Sequence, residues 1–343
     1  MKEGTKLLVI RADANREIGM GHLVRSVSIQ KIATKNKIQS KLVLDKLDSH
    51  AKSWLSKKNI QYEDLGDSSA LKSDVENYSE LMLLYDIDHK FSTQKNYELL
   101  KEEGIKKNLT TYAFADLARK WNKTNIDYII YPYIGYEKGL HLNSQRAIYG
   151  PEYFILREEI KLLNPVQTIK KSVEKITVSM GGSNPNNTIE NALRVILGSH
   201  FSGEINILMG PIASIDLRLV DRYIRESSCH VTLHWNVKNF ELKLKESDIV
   251  ITNDGLTKYE SLYLGIPTIM ITSFEENTLL MHNFSLATGA VSLGQVTEEN
   301  LHDQSTCLDA VLDSLERRET MSTSGKRIID GNGTDRLIKM LFR

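Results

Sequence analysis

The chain opens on a short apolar run at residues 6–10, passes through polar and glycine positions at 17–22, and resumes with Leu23, Val27, Ile29 and Ile32 at helical spacing. A continuous apolar run bounded by turn residues reads as a buried strand, and the spacing that follows reads as a helix with one apolar face. The alternation recurs. Apolar runs at 41–44, 80–85 and 127–131 read as strands, and a helix is expected at 93–103, stopping at Gly104. Segment 149–172, with two prolines and a charged end, marks the approach to a boundary. Beyond it the pattern restarts, with a strand at 175–180, a loop at 181–187 and a helix at 188–197. Strands at 204–209, 230–233, 249–252 and 268–271 follow, with a helix at 256–264. Wholly apolar strands alternating with helices predict parallel sheets covered on both faces. The expected fold class is therefore α/β, with two Rossmann-like, doubly wound parallel-sheet domains facing a central cleft. Their expected spans are 1–165 and 172–325, followed by a C-terminal helix at 326–343. Tyr128, Tyr131 and Tyr133 read as a strand with one aromatic face.

Composition narrows the partners more than the fold. A chain of 343 residues exceeds what one core usually organises. Lys plus Arg and Asp plus Glu both number 44, so there is no one-sided positive field of the kind a general nucleic-acid binder needs. Cys229 and Cys307 are too few and too distant for a disulfide framework or a thiolate metal site. No run approaches the roughly 20 apolar residues of a membrane span, and the first apolar run is too short for a signal-peptide core. The expectation is a cytoplasmic protein without an integral membrane segment, bound nucleic acid, metal or cofactor.

Three loops carry candidate chemistry. Arg11 and Asp13 follow the first strand, and Gly19 and Gly21 precede the helix that carries His22 and Arg25. Glycines before a helix N-terminus allow close backbone approach to an anion. The third glycine of a dinucleotide motif and the Gly-Lys-Ser/Thr of a Walker loop are both missing. A histidine there sits at the positive end of the helix dipole, which favours the neutral, proton-accepting imidazole. The alternative is a capping or packing histidine. The second loop, with Gly181, Gly182 and Ser183, can form another anion nest, or a plain strand-to-helix turn. The third runs from Asn253 through Gly255, Thr257 and Tyr259 to Glu260, a carboxylate suited to accepting two ribose hydroxyls or simply to facing solvent. Asp86 and Asp88 follow a strand, and at least one is expected at its edge. His230, His234 and His282 show no ligand spacing.

The run 10–14, with 17–25, resembles the opening of the UDP-sugar hydrolases of pseudaminic acid biosynthesis, which are grouped with the spore-coat polysaccharide proteins. The likeness continues through Phe114-Ala115-Asp116, 149–159, 180–185, 248–267 and 330–336, in order and over nearly the whole chain. The resemblance implies a GT-B-like fold and inverting, metal-independent hydrolysis of a UDP-linked amino or deoxy sugar. It implies His22 as general base and a pairing acid at Asp86 or Asp88, with Asp88 preferred because His89 follows it. It further implies that Gly181, Gly182, Ser183, Asn253, Gly255, Thr257, Tyr259, Glu260 and Asn277 hold the nucleotide. Arg11, Asp13, Gly19, Gly21 and Arg25 would line the same substrate. Departures fall around the sugar end: Asp86-Ile87-Asp88-His89 after the third strand, no asparagine near Pro132, and Thr278 in place of a glutamine. Two other readings compete, a GT-B glycosyltransferase using a UDP-sugar donor, and a non-catalytic nucleotide-sugar-binding partner in polysaccharide assembly.

Overall fold

The computed structural model describes residues 6–15, 18–45, 47–64, 78–87, 109–114, 126–135, 146–182, 184–210 and 213–342. The helix read at 93–103 and the residues Glu17, Asp88, His89, Ala115, Asp116 and Ser183 lie outside them. The chain divides into two compact units, one of 1–157 with 332–343 and the other of 158–331.

In the first unit, β1 (Lys6–Asp13) leads to α1 (Gly21–Lys35), then β2 (Gln39–Asp45), α2 (Ser49–Lys57) and β3 (Glu63–Asp64). The remaining strands are β4 (Glu80–Asp86), β5 (Leu109–Phe114), β6 (Tyr128–Tyr131) and β7 (Arg146–Tyr149). They form one parallel sheet in the order β3-β2-β1-β4-β5-β6-β7. Every residue of β1 after Lys6 is buried. Leu8, Ile10, Met82 and Leu84 enter the core that includes Leu23 and Val27 of α1. Leu7, Val9, Leu81 and Leu83 enter the core on the other face. This two-sided burial is why the strands are apolar runs rather than alternations.

The second unit begins with α3 (Glu158–Lys161), β8 (Lys175–Ser179), α4 (Thr188–Leu197) and β9 (Glu204–Met209). Next come α5 (Leu217–Glu226), β10 (His230–Trp235), α6 (Phe240–Lys245), β11 (Ile249–Thr252) and α7 (Thr257–Leu264). It closes with β12 (Thr268–Met270), α8 (Thr278–Thr288), β13 (Val291–Ser292), α9 (Leu301–Leu312) and α10 (Leu315–Ile328). Its sheet is also parallel, ordered β10-β9-β8-β11-β12-β13.

The division falls at 157/158, earlier than the 165–172 expected, because hydrogen bonds tie the intervening segment to the second unit. The Tyr263 hydroxyl donates to the Lys161 carbonyl at 3.0 Å, and the Val166 N–H to Leu264 at 2.8 Å. Arg318 donates to the carbonyls of Lys170 and Lys171. The expected terminal helix at 326–343 is two elements. The first, α10, stays in the second unit, whereas α11 (Gly333–Leu341) returns to the first, burying Leu337, Ile338 and Leu341 in the core shared with α1. Gly333 makes this return possible, since a Cβ there would lie 2.0 Å from the Phe154 carbonyl oxygen. The tyrosines do not share a face. Tyr128 stacks on Tyr112 and Tyr131 on Tyr149, in the two different cores. Residues three apart on a strand point to opposite sides.

Candidate functional site

Each sheet reverses its strand order at one place, between β1 and β4 in the first and between β8 and β11 in the second. In open α/β sheets such a reversal leaves a crevice at the carboxyl ends of the strands, where ligands collect. The predicted loops leave the sheets at these two places.

In the first unit the loop after β1 is closed by Asn15, which accepts from the Ile18 N–H through Oδ1 at 3.0 Å and from the Gly19 N–H through its carbonyl at 2.7 Å. Gly19 has φ +81°, a left-handed conformation that favours glycine. Helix α1 starts at Gly21 after Met20, with no side-chain cap, so its first-turn N–H groups remain available to an anion. His22 is on this first turn. Its Nδ1 lies 2.8 Å from Oδ1 of Asp86, the last residue of β4, which pairs with Ala12 of β1 across the reversal.

Asp86 is fully buried and carries four contacts. Arg25 donates Nε to Oδ2 at 2.8 Å and Nη2 to Oδ1, and the Ser26 hydroxyl donates to Oδ2 at 3.2 Å. Burial opposes ionisation, but the facing Arg25 charge, its hydrogen bonds and the His22 bond hold the Asp86 carboxyl at about 2. Burial also opposes the Arg25 charge, and Asp86 and the Tyr133 hydroxyl outweigh it and raise the guanidinium above its ordinary range. The guanidinium carbon stands 4.2 Å over the Phe114 ring. An ionised carboxylate only accepts hydrogen bonds, so Nδ1 of His22 donates to it and Nε2 is the ring nitrogen left facing away from Asp86. With its side chain 21% exposed, His22 keeps access to solvent while Asp86 has none.

Arg11 and Asp13, buried at the end of β1, form a separate ion pair at 2.6 Å, with Asp45 3.5 Å from the other Arg11 nitrogen. They do not bond to the His22–Asp86 group. Arg25, expected beside the substrate, is committed to Asp86 and Tyr133.

In the second unit Gly181 has φ +76°, and among the described residues beyond the chain neighbours no atom stands within 4 Å of where a Cβ would project from Gly181 or Gly182. Asn184 braces this loop. Its Oδ1 accepts from the Ile189 N–H at 2.8 Å, and its amide donates to Glu190 Oε2 at 2.7 Å and to the Ser214 carbonyl at 2.9 Å. Asn253, directly after β11, donates to the Met180 carbonyl at 3.2 Å and accepts from the Gly255 N–H at 3.0 Å, joining the two predicted loops across the reversal. Helix α7 starts after Leu256 without a side-chain cap. Asn277 donates to the Asp254 carboxylate. Thr257 and Glu260 are buried, and Tyr259 packs edge-on against Phe284 with centroids 5.2 Å apart.

The structure thus brings His22 and Arg25 together, and Gly181, Gly182, Asn253, Gly255 and Asn277 at the second reversal. Tyr133, Ser26, Asn184 and Lys258 were missed. Asn184 carried a signal as a capping residue five positions before Ile189, whereas Tyr133 reaches Arg25 across 108 residues and no local pattern announces it. Among the described residues no group of three or more His, Cys, Asp or Glu side chains is arranged to hold a metal ion, and no helix is long and apolar enough to cross a membrane.

Two parallel α/β units, each with a glycine loop at its reversal, define a protein of GT-B-like fold. MurG of Acinetobacter baumannii superposes with a TM-score of 0.64 at 12% identity, over 98% of this chain and 99% of that one. The UDP-GlcNAc 2-epimerase of Neisseria meningitidis, bound to UDP-GlcNAc, gives 0.57 at 12% identity, over 98% and 99%. In sequence the chain is similar to the spore coat polysaccharide biosynthesis protein SpsG of Bacillus subtilis, 24% identical across 97% of this chain and 96% of that protein. It is also similar to the uncharacterized protein MJ1062 of Methanocaldococcus jannaschii, 24% identical over 77% of this chain. That match spans only 55% of the archaeal protein. No protein-family profile matches the chain.

Proposed function

We propose that the chain is a nucleotide-sugar hydrolase that cleaves the anomeric carbon–oxygen bond of a UDP-linked amino or deoxy sugar, releasing UDP and the free sugar for surface-polysaccharide or nonulosonic acid synthesis. The observation that carries this reading is the His22 Nδ1–Asp86 bond of 2.8 Å, with Asp86 locked by Arg25. It presents a fixed imidazole whose second nitrogen is free to accept a proton, the requirement for activating water. The water oxygen attacks the anomeric carbon with inversion and loses its proton to Nε2. The bond to the diphosphate oxygen breaks, and its electron pair leaves with UDP. The loops at Gly181–Gly182 and Asn253–Thr257 hold the diphosphate on backbone N–H groups, which stabilises the charge that develops there. Glu260 takes the ribose. The likeness to SpsG and the GT-B-like fold support the substrate class. Incubation with a panel of UDP-amino sugars, followed by NMR, tests it: free sugar of inverted anomeric configuration is expected, and intact UDP-sugar throughout the panel contradicts it.

A second reading, glycosyl transfer, is favoured by the exposed side chains of Phe274 and Leu279 on either side of the turn that carries Asn277. An apolar surface beside a nucleotide loop suits an acceptor with a hydrophobic part. Under that reading the same NMR experiment yields a glycosylated acceptor in place of free sugar.

A further inference from the structure

We propose that Lys258 is a positioning residue that shapes and charges the loop at 253–257 for the diphosphate of the nucleotide, without touching the ligand itself. The proposal rests on the reading that the second unit holds UDP. Lys258 is 1% exposed, and its Nζ lies 4.9 Å from the Tyr259 ring centroid and 5.4 Å from that of Phe284. Taking an ammonium out of water costs several kcal/mol, so a lysine packed among rings has to make compensating contacts. Its hydrogen bonds among the described residues go to one loop: Nζ donates to the Asp254 carbonyl, and to the Gly255 carbonyl at 3.0 Å.

The geometry of the trans peptide gives this grip its consequence. The C=O and N–H of one peptide unit point in opposite directions. A Gly255 carbonyl drawn inward to Lys258 turns the Leu256 N–H outward. The Asp254 carbonyl shares its peptide with the Gly255 N–H, which Asn253 Oδ1 already occupies. Leu256 therefore offers its N–H at the start of α7, where no side chain caps the first turn. Charge adds a second effect. Segment 252–260 contains two acids, Asp254 and Glu260, both buried, and Lys258 is its one basic residue. Without that ammonium an anionic ligand would approach the Asp254 carboxyl with no positive side chain from this segment beside it.

A separate observation points to a polar ligand at the same edge of the sheet. The hydroxyls of Ser179, Thr272 and Ser273, at the carboxyl ends of β8 and β12 on either side of β11, are buried and have no hydrogen-bond partner among the described residues. Buried hydroxyls are normally satisfied, and a bound polar molecule is one means of satisfying them.

The test is calorimetric titration of the full chain with UDP and with uridine, which differ by the diphosphate. The unaltered protein is expected to prefer UDP. In Lys258→Met that preference falls by about tenfold or more, the loss expected for charge-assisted hydrogen bonds, while uridine affinity is kept. Lys258→Arg, which retains charge and donors, keeps the preference. Lys258→Gln gives the same reading as Lys258→Met should the methionine variant fail to fold. A neutral variant that prefers UDP as strongly as the unaltered protein overturns the proposal, as does Lys258→Arg losing the preference to the same extent as Lys258→Met. An unaltered protein that binds UDP no better than uridine instead removes the nucleotide reading beneath it.

Discussion

His22 and Asp86 stand 64 residues apart in the chain and meet through a 2.8 Å Nδ1–Oδ1 bond across the strand reversal of the first sheet. The bond orients the imidazole and fixes which nitrogen carries the proton, and the Arg25 clamp keeps Asp86 ionised so that it continues to do so. Asp86→Asn tests this role. An amide can present its NH2 to Nδ1 and so stabilise the opposite tautomer. The expected result is a fall in kcat of about a hundredfold or more with KM nearly unchanged, read from steady-state UDP release. A matching loss in KM would assign Asp86 to substrate binding.

Removing the clamp leaves Asp86 without its main counter-charge. Arg25→Met is expected to destabilise the first unit by about 3–5 kcal/mol, the usual cost of stranding one member of a buried pair. Tyr133→Phe removes one hydrogen bond to the same guanidinium and is expected to cost about 1 kcal/mol. Urea unfolding of the two variants checks both the order and the gap between them.

Asp86 also predicts a pH dependence of stability. Its folded-state value of about 2 lies below the ordinary 3.8, so the unfolded chain binds the proton more readily. The stabilisation is complete above pH 4 and is lost as pH falls from about 4 towards 2. The stability difference between the unaltered protein and Asp86→Asn should therefore be flat near neutrality and shrink across that window in denaturant titrations. Lys258 gives a slope of the same sign in a separate window. Burial draws its ammonium down to about 8 from an ordinary 10.5, so the unfolded chain again holds more protons, here between pH 8 and 10. Relative to Lys258→Met, the unaltered protein should gain stability as pH rises through that range.

The Asn184 brace is testable without catalysis. Asn184→Ala removes the bonds to Glu190, Ser214 and the Ile189 N–H and leaves a buried carboxylate short of a donor. A loss of about 1–3 kcal/mol in stability is expected, together with weaker UDP binding, by thermal unfolding with and without UDP.

The fold was legible in the sequence because two-sided burial writes parallel strands as apolar runs, as at 6–10 and 249–252. Strands β5 and β7, with Leu-Thr-Thr-Tyr-Ala-Phe and Arg-Ala-Ile-Tyr, mix polar and apolar positions and were not recognised. The return of α11 to the first unit was illegible because it depends on a close approach at Gly333, not on composition. At the candidate site, both glycine loops and His22 were readable from residue type and place. Of the two candidate acids the sequence reading prefers Asp88. The structure pairs Asp86 with His22, and Asp88 lies outside the described residues. Strand parity held the missing signal: Asp86 continues the series Met82 and Leu84, the face that α1 covers. Lys258 gave no sequence signal, since a lysine on a helix is ordinarily solvated.

The most direct test of the account is the rate of UDP release from a UDP-amino sugar, followed by NMR, for the unaltered protein and for His22→Ala. The account predicts UDP and free sugar from the unaltered protein, a rate about a hundred- to ten-thousand-fold lower in the variant, and unchanged UDP affinity in both. Release at the same rate from the two proteins would contradict it, because water would then be activated without His22.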